Sequence, residues 1–553
     1  MYNVRVPLIN YLTFNRCYRT YWIKRTYSID NAIDADVSNS KNGSHNDFIP
    51  CTLASLIWDS LPDVAVVDDK FERFRKSSSR LKRVFDMQTS LFNFSDRLFA
   101  KTPNNKAVPN SKMYEPSLDS SVDTQRIDHS NLDKLNKNLN HLLNNTSVCD
   151  ETRTSELFKL LHQIYEYILD NNTMKQTDTV QLKNLLLLTR QYFLNNEGIV
   201  AYINKCLSLL AVVNPINSPG IRILSIDGGG IRGISSILIL QAIEKCCRKP
   251  ILDCFDYICG TSTGAILAAF LTVHHYDLKK IEDLYWKFGK VLFNQPAFIG
   301  LSNLLWNRTY YDTHRMESIL RSLFDNYQII DIASNQHSPR VGFISCVLKN
   351  GRFQPYVMRN YNTSNCFPSK FHGSSNKSVF EAVRASTSIP FFYKPVTVQK
   401  QYFADGGIVA NNPVGIAIHE SSCLWPDEPI HCVVSIGTGH YTTPVQDTET
   451  ISIRNTIWKI LDVATCSQTP HMILQDLLKD DTYFRFNVPL SQSINFNEFD
   501  PLILENLTKD TLLYMEKNTA KIQFASHRLN QKKGVLRSSF QKLNNVYSNF
   551  LSR

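Results

Sequence analysis

Nowhere in these 553 residues does an apolar run approach the ~18 residues that a membrane-crossing helix requires, so contact with lipid is expected from the water side. The 13 cysteines are odd in number and form no paired C-x-x-C sets. That pattern excludes a disulfide framework and a zinc site, and it points to reduced thiols in an intracellular compartment. Zinc-finger spacing, an RNA-binding signature and a dense basic helix are all missing. The formal net charge of +10 is therefore read as suiting an anionic bilayer surface and not nucleic acid. No acidic loop with a glycine at its turn offers a calcium site, so neither metal nor cofactor is expected.

The first 29 residues lack Asp and Glu altogether, yet carry Arg5, Arg16, Arg19, Lys24 and Arg25 among Tyr11, Phe14, Tyr18, Tyr21 and Trp22. Such a composition predicts a mitochondrial transit peptide, with Arg25-Thr26-Tyr27-Ser28 resembling a matrix-peptidase site cut after Tyr27. A basic leader lying on a membrane surface is the alternative. The last residues, Phe550-Leu551-Ser552-Arg553, do not carry the peroxisomal tripeptide. Residues 30–154 are rich in Asn, Ser and Asp and are expected to be mostly disordered, with some helix. From Leu157 the spacing changes: Leu157, Leu160, Leu161, Ile164 and Ile168 share one helical face, and residues 182–194 and 199–213 repeat it. A helical segment is predicted over 155–213, and Pro215 and Pro219 mark a hinge after it. A leucine stripe of this kind is ordinarily core.

The rest of the chain is organised around residues 221–264. An apolar strand, 221–226, is followed by Asp227-Gly228-Gly229-Gly230-Ile231-Arg232-Gly233, whose glycines expose backbone N–H groups to an anion. One helix later Gly260-Thr261-Ser262-Thr263-Gly264 stands between an apolar strand and a helical run, the setting of a nucleophile elbow. Farther on, a short strand at Tyr402 delivers Asp405-Gly406-Gly407, a carboxylate at a strand end where a serine needs a base. Each piece has another reading. The glycine loop also fits a dinucleotide site, against which Asp227 would set a carboxylate beside the pyrophosphate. G-x-S-x-G is often an incidental helix start, and Asp-Gly-Gly is often just a turn. His440 follows a strand, and the order Ser262, Asp405, His440 is that of a Ser-Asp-His triad. Beyond the elbow, helices near 278–288, 378–385 and 414–424 alternate with strands at 341–348, 402 and 431–436. That alternation predicts a mostly parallel sheet with helices on both faces, and catalytic groups at strand ends.

Taken together and in this order, the glycine loop, Gly-Thr-Ser-Thr-Gly and Asp-Gly-Gly resemble the patatin-like phospholipases. Phe255-Asp256-Tyr257-Ile258-Cys259-Gly260, Asn411-Asn412-Pro413, Cys423-Leu424-Trp425-Pro426-Asp427, Ser435-Ile436-Gly437-Thr438-Gly439 and Asp481-Thr482-Tyr483-Phe484-Arg485-Phe486 resemble the gamma kind of calcium-independent phospholipase A2. The resemblance implies a patatin-like α/β domain over 221–440, preceded by an armadillo-like helical segment and followed by a mainly helical extension over 441–553. It implies a Ser262–Asp405 dyad: Ser262 the nucleophile, Asp405 the base, an acyl-enzyme between them, and membrane glycerophospholipid as substrate. Gly228, Gly229, Gly230, Arg232 and Gly233 would form the oxyanion loop, Gly260 and Gly264 the elbow, and Gly406 and Gly407 the turn after the base. Arg232 is equally readable as a structural ion pair, and Asp227 as a brace. Two departures stand out: Thr261 where relatives carry valine, and Gly407 where many carry alanine. A neutral-lipid or lysophospholipid hydrolase or acyltransferase, and a catalytically silent lipid-binding protein, are the competing functions.

Overall fold

The computed structural model describes residues 129–144, 150–170, 176–293, 310–441 and 467–534, all within the compact unit Ser120–Arg553. The expectations for the leader at 1–29, for the stretch 30–128 and for 442–466 and 535–553 lie outside the described residues.

Among the described residues four helices come first: α1 (His129–Asn144), α2 (Asp150–Asp170), α3 (Gln176–Tyr192) and α4 (Glu197–Leu209). The leucine stripe of α2 is buried against Leu182, Leu185 and Leu186 of α3 and Ile199 and Ile203 of α4. The array starts earlier than the stripe suggests. Leu139 and Leu143 of α1 belong to the same core, at i, i+4 spacing hidden within an Asn- and Lys-rich run.

A nine-stranded sheet follows, with strands β1 (Ile221–Ile226), β2 (Tyr257–Thr261), β3 (Arg340–Lys349), β4 (Arg352–Arg359), β5 (His372–Ser374), β6 (Val396–Val398), β7 (Gln401–Asp405), β8 (Ile430–Ile436) and β9 (Tyr483–Phe486). The order is β5-β4-β3-β2-β1-β8-β9, and the β3-β2-β1-β8-β9 centre is parallel throughout. The remaining helices are α5 (Gly233–Cys247), α6 (Thr263–His274), α7 (Leu278–Phe293), α8 (Thr313–Phe324), α9 (Val379–Ser386), α10 (Gly407–Ala410), α11 (Val414–Leu424), α12 (Gln468–Leu477), α13 (Pro501–Lys517) and α14 (Thr519–Asn530). Strand alternation feeds two cores. Leu224 and Ile226 of β1, Ile258 of β2 and Val434 of β8 face α5, α6 and α14, whereas Ile221, Ile223, Cys259 and Val433 face α11.

Antiparallel pairing around β3 departs from the simple alternation. Asn350 and Gly351, at φ 53 and φ 71, form a tight hairpin that returns the chain as β4. On the opposite edge β3 pairs with β2 along its first half, Ile344 opposite Thr261, and with antiparallel β7 along its second, Ser345 opposite Asp405. The strands β2 and β7 thus approach along one edge from opposite directions. Their C-terminal ends meet at consecutive rungs of β3.

Candidate active site

That convergence brings Ser262 and Asp405 together from 143 positions apart: Ser262 Oγ donates to Asp405 Oδ2 at 2.8 Å. Ser262 sits on the turn between β2 and α6 at φ 52, ψ −117, a conformation a non-glycine residue holds only when its surroundings impose it. The turn is this sharp because the flanking glycines touch. A Cβ on Gly260 would collide with the carbonyl of Gly264, and one on Gly264 with that of Ile226. Asp405 Oδ1 accepts the N–H of Gly407 at 2.7 Å, and Gly406 precedes it against the Ile344 carbonyl. Burial pushes the Asp405 carboxyl up to about 7, opposed by the bonds from Gly407 and Ser262. A carboxyl so poised is ionised at neutral pH only in part, which suits a proton acceptor.

The glycine loop lies alongside. A Cβ placed on Gly228 would be 3.1 Å from the Ser262 Cβ, and Thr263 Oγ1 donates to Gly230 O at 3.0 Å, tying loop to elbow. Gly228 spends its N–H on Asn411 O, at 3.2 Å. The N–H groups of Gly229, Gly230 and Thr263 donate no hydrogen bond among the described residues. Gly230 holds φ 58 with the Phe496 carbonyl where a side chain would be, so glycine is required there. Arg232 turns inward and gives Nε to Gly229 O at 3.4 Å, bracing the loop, and Gly233 opens α5 beside Tyr285. Asp227 forms a buried fork with Arg485 of β9, at 2.9 and 2.6 Å. The fork ties the base of the loop to β9.

His440 does not join the pair. Both Asp405 oxygens have their partners in Ser262 and Gly407, and His440 leaves β8, two strands from β2, to bridge to Pro489. Among the described residues no three His, Cys, Asp or Glu side chains cluster in a way that would hold a metal ion.

Ser386 carried no sequence signal, and the bonds that Thr438 and Thr261 make could not be read from theirs. Ser386 Oγ accepts the N–H of Ser262 at 2.8 Å, so the nucleophile's own amide is already engaged. Thr438 Oγ1, just past the end of β8, donates to Gly228 O at 3.0 Å. Thr261, the departure before the serine, uses its hydroxyl to hold Ala410 O at 2.8 Å, a bond valine would lack.

Residues 224–418 match the family described as patatin-like phospholipase. That segment, about a third of the chain, is similar to a patatin-like phospholipase domain. It is 36% identical over 361 residues to calcium-independent phospholipase A2-gamma of Mus musculus, covering 65% of this chain and 46% of that protein. The Homo sapiens protein of the same name is also 36% identical over 361 residues, with 45% of its length covered. Phospholipase A I of Arabidopsis thaliana is 28% identical over 379 residues, 56% of this chain and 28% of that one. The chain thus spans less than half the length of these relatives. The glycine loop, the elbow and the Asp-Gly-Gly turn all fall inside the matched segment, whereas Arg485, which anchors Asp227, lies beyond it.

Proposed function

We propose that this protein hydrolyses fatty-acyl esters of membrane glycerophospholipids, without calcium, through Ser262 and Asp405. The observation that carries the reading is the 2.8 Å bond between the two side chains, beside amides of Gly229, Gly230 and Thr263 that donate no hydrogen bond among the described residues. Ser262 Oγ attacks the ester carbonyl carbon as its proton passes to Asp405 Oδ2. The negative charge on the former carbonyl oxygen is received by the free amides, where one such donor contributes about 3–4 kcal/mol to the transition state. Collapse expels the lysolipid alkoxide, which takes the proton back from Asp405 and leaves an acyl-Ser262 ester. Water then attacks that ester, Asp405 accepts its proton, and the fatty acid departs as Ser262 is restored.

Substrate class follows from the printed names of the relatives, which are phospholipases. Access from a bilayer surface fits the lack of any helix, among the described residues, long and apolar enough to cross a membrane. Work on mitochondrial membranes is proposed from the acid-free, arginine-rich first 29 residues. The test is product analysis by mass spectrometry on phosphatidylcholine and cardiolipin vesicles in excess chelator. Free fatty acid and lysolipid are expected from the wild type and not from Ser262→Ala; intact lipid with the wild type, or full dependence on added calcium, would overturn the reading.

A further inference from the structure

In the sheet, β2 and β7 each pair with β3 but not with one another, so no ladder bond spans the gap between Ser262 and Asp405. The residues that do span it are 386–388, at the C-terminal end of α9. Ser386 Oγ accepts the Ser262 N–H at 2.8 Å and donates its own O–H to Ile344 O on β3. The Ser386 carbonyl accepts the Gly406 N–H at 3.3 Å, and the Ser388 carbonyl accepts the Asp405 N–H at 3.0 Å. One short segment therefore grips the end of each strand. It is anchored in turn by Arg384, only 1% exposed, which binds Glu317 of α8 at 3.0 Å, Ser388 Oγ at 2.5 Å and Lys394 O at 2.6 Å.

We propose that Ser386 is a positioning residue for the reaction at Ser262: its hydroxyl, fixed to β3, holds the nucleophile's backbone in its left-handed turn and in register with Asp405. The inference rests on the ester-hydrolase reading and adds to it. Two consequences follow. The Ser262 amide is withheld from the developing oxyanion, leaving that task to Gly229, Gly230 and Thr263. Alignment also bears on the base, because the bond from Ser262 pulls the Asp405 carboxyl down against the effect of burial. When that bond slackens, Asp405 ionises only at higher pH.

The test uses the full chain and p-nitrophenyl butyrate, comparing wild type with Ser386→Ala and with Ser386→Cys, which keeps the volume but is a poor acceptor. Steady-state kinetics across pH and a thermal melt are recorded for each. Expected is a fall in kcat of about 100-fold with KM little changed, the size of effect a small misplacement produces, together with an acid limb displaced to higher pH. Either variant folding with wild-type kcat and an unmoved limb overturns the proposal. So does a loss that follows the melting curve alone, the folded fraction turning over at the normal rate. A wild type that does not turn over the ester instead removes the hydrolase reading on which the proposal stands.

Discussion

Asp405 carries a cost that its chemistry explains. Its carboxyl is shifted from 3.8 to about 7 by burial, so the folded state binds its proton more tightly than the unfolded chain. Stability from this group is therefore greatest at low pH, declines as pH rises from 3.8 towards 7, and stays lost above. The shift corresponds to roughly 4 kcal/mol. Replacing Asp405 by Asn is expected to lower kcat by about 10²–10⁴-fold, the usual worth of a general base, while raising Tm at pH 8. The gain in Tm should shrink as the melts are repeated towards pH 5. In the wild type, kcat/KM should fall below about pH 7 as Asp405 takes up its proton. His440→Gln should leave turnover close to wild type; abolition there, with Asp405→Asn active, would restore the triad. At this scale the sequence was most legible. Ser262, Asp405 and the glycines are small or charged residues whose spacing to strands and helices marks them, and the fold brings them together. Ser386 is an ordinary buried hydroxyl, and only the folded neighbourhood gives it a task.

Among the elements, the decisive feature is the edge of β3 on which β2 and β7 converge, and the pattern of apolar residues could not announce it. Period-2 alternation identifies a strand but not its partner or direction. The hairpin at Asn350-Gly351 did leave a trace, since that pair is a strong turn signal, yet β4 was absent from the sequence reading. The glycine loop depends equally on a distant element. Arg485 from β9 neutralises Asp227 through two bonds and also binds Ser435 Oγ at 2.9 Å. Arg485→Met leaves a buried carboxylate alone and is expected to cost about 3–5 kcal/mol in a denaturant melt. Adding Asp227→Asn should recover a good part of it. If the double variant is as unstable as the single one, the fork is not what holds the loop.

Over the whole unit, the core of the helical array reaches into the sheet domain. Ile330 and Ala333, from the segment leading into β3, are buried with Leu161, Leu186 and Ile203 of α2, α3 and α4. Polar bonds line the seam: Arg340 to Ser208 Oγ at 2.8 Å, Asn204 to Ser334 O at 2.9 Å, and Lys205 to Asp331 at 3.2 Å. Ile330→Ala should cost about 2–5 kcal/mol and, by calorimetry, shift a single transition. Splitting into two peaks, with the later one unmoved, would mean that the array and the sheet fold separately. The array's membership of the unit was only half legible, because Asn and Lys dilute the leucines of α1 and because the seam pairs residues far apart in the chain.

The measurement that bears most directly on the whole account is mapping of a fluorophosphonate adduct by mass spectrometry, because the probe reacts only with a serine whose proton has somewhere to go. The account predicts a single adduct on Ser262, formed fast at pH 8 and slowly at pH 6, absent from Ser262→Ala and strongly reduced in Asp405→Asn. An adduct on another serine, or undiminished labelling of Asp405→Asn, would contradict it.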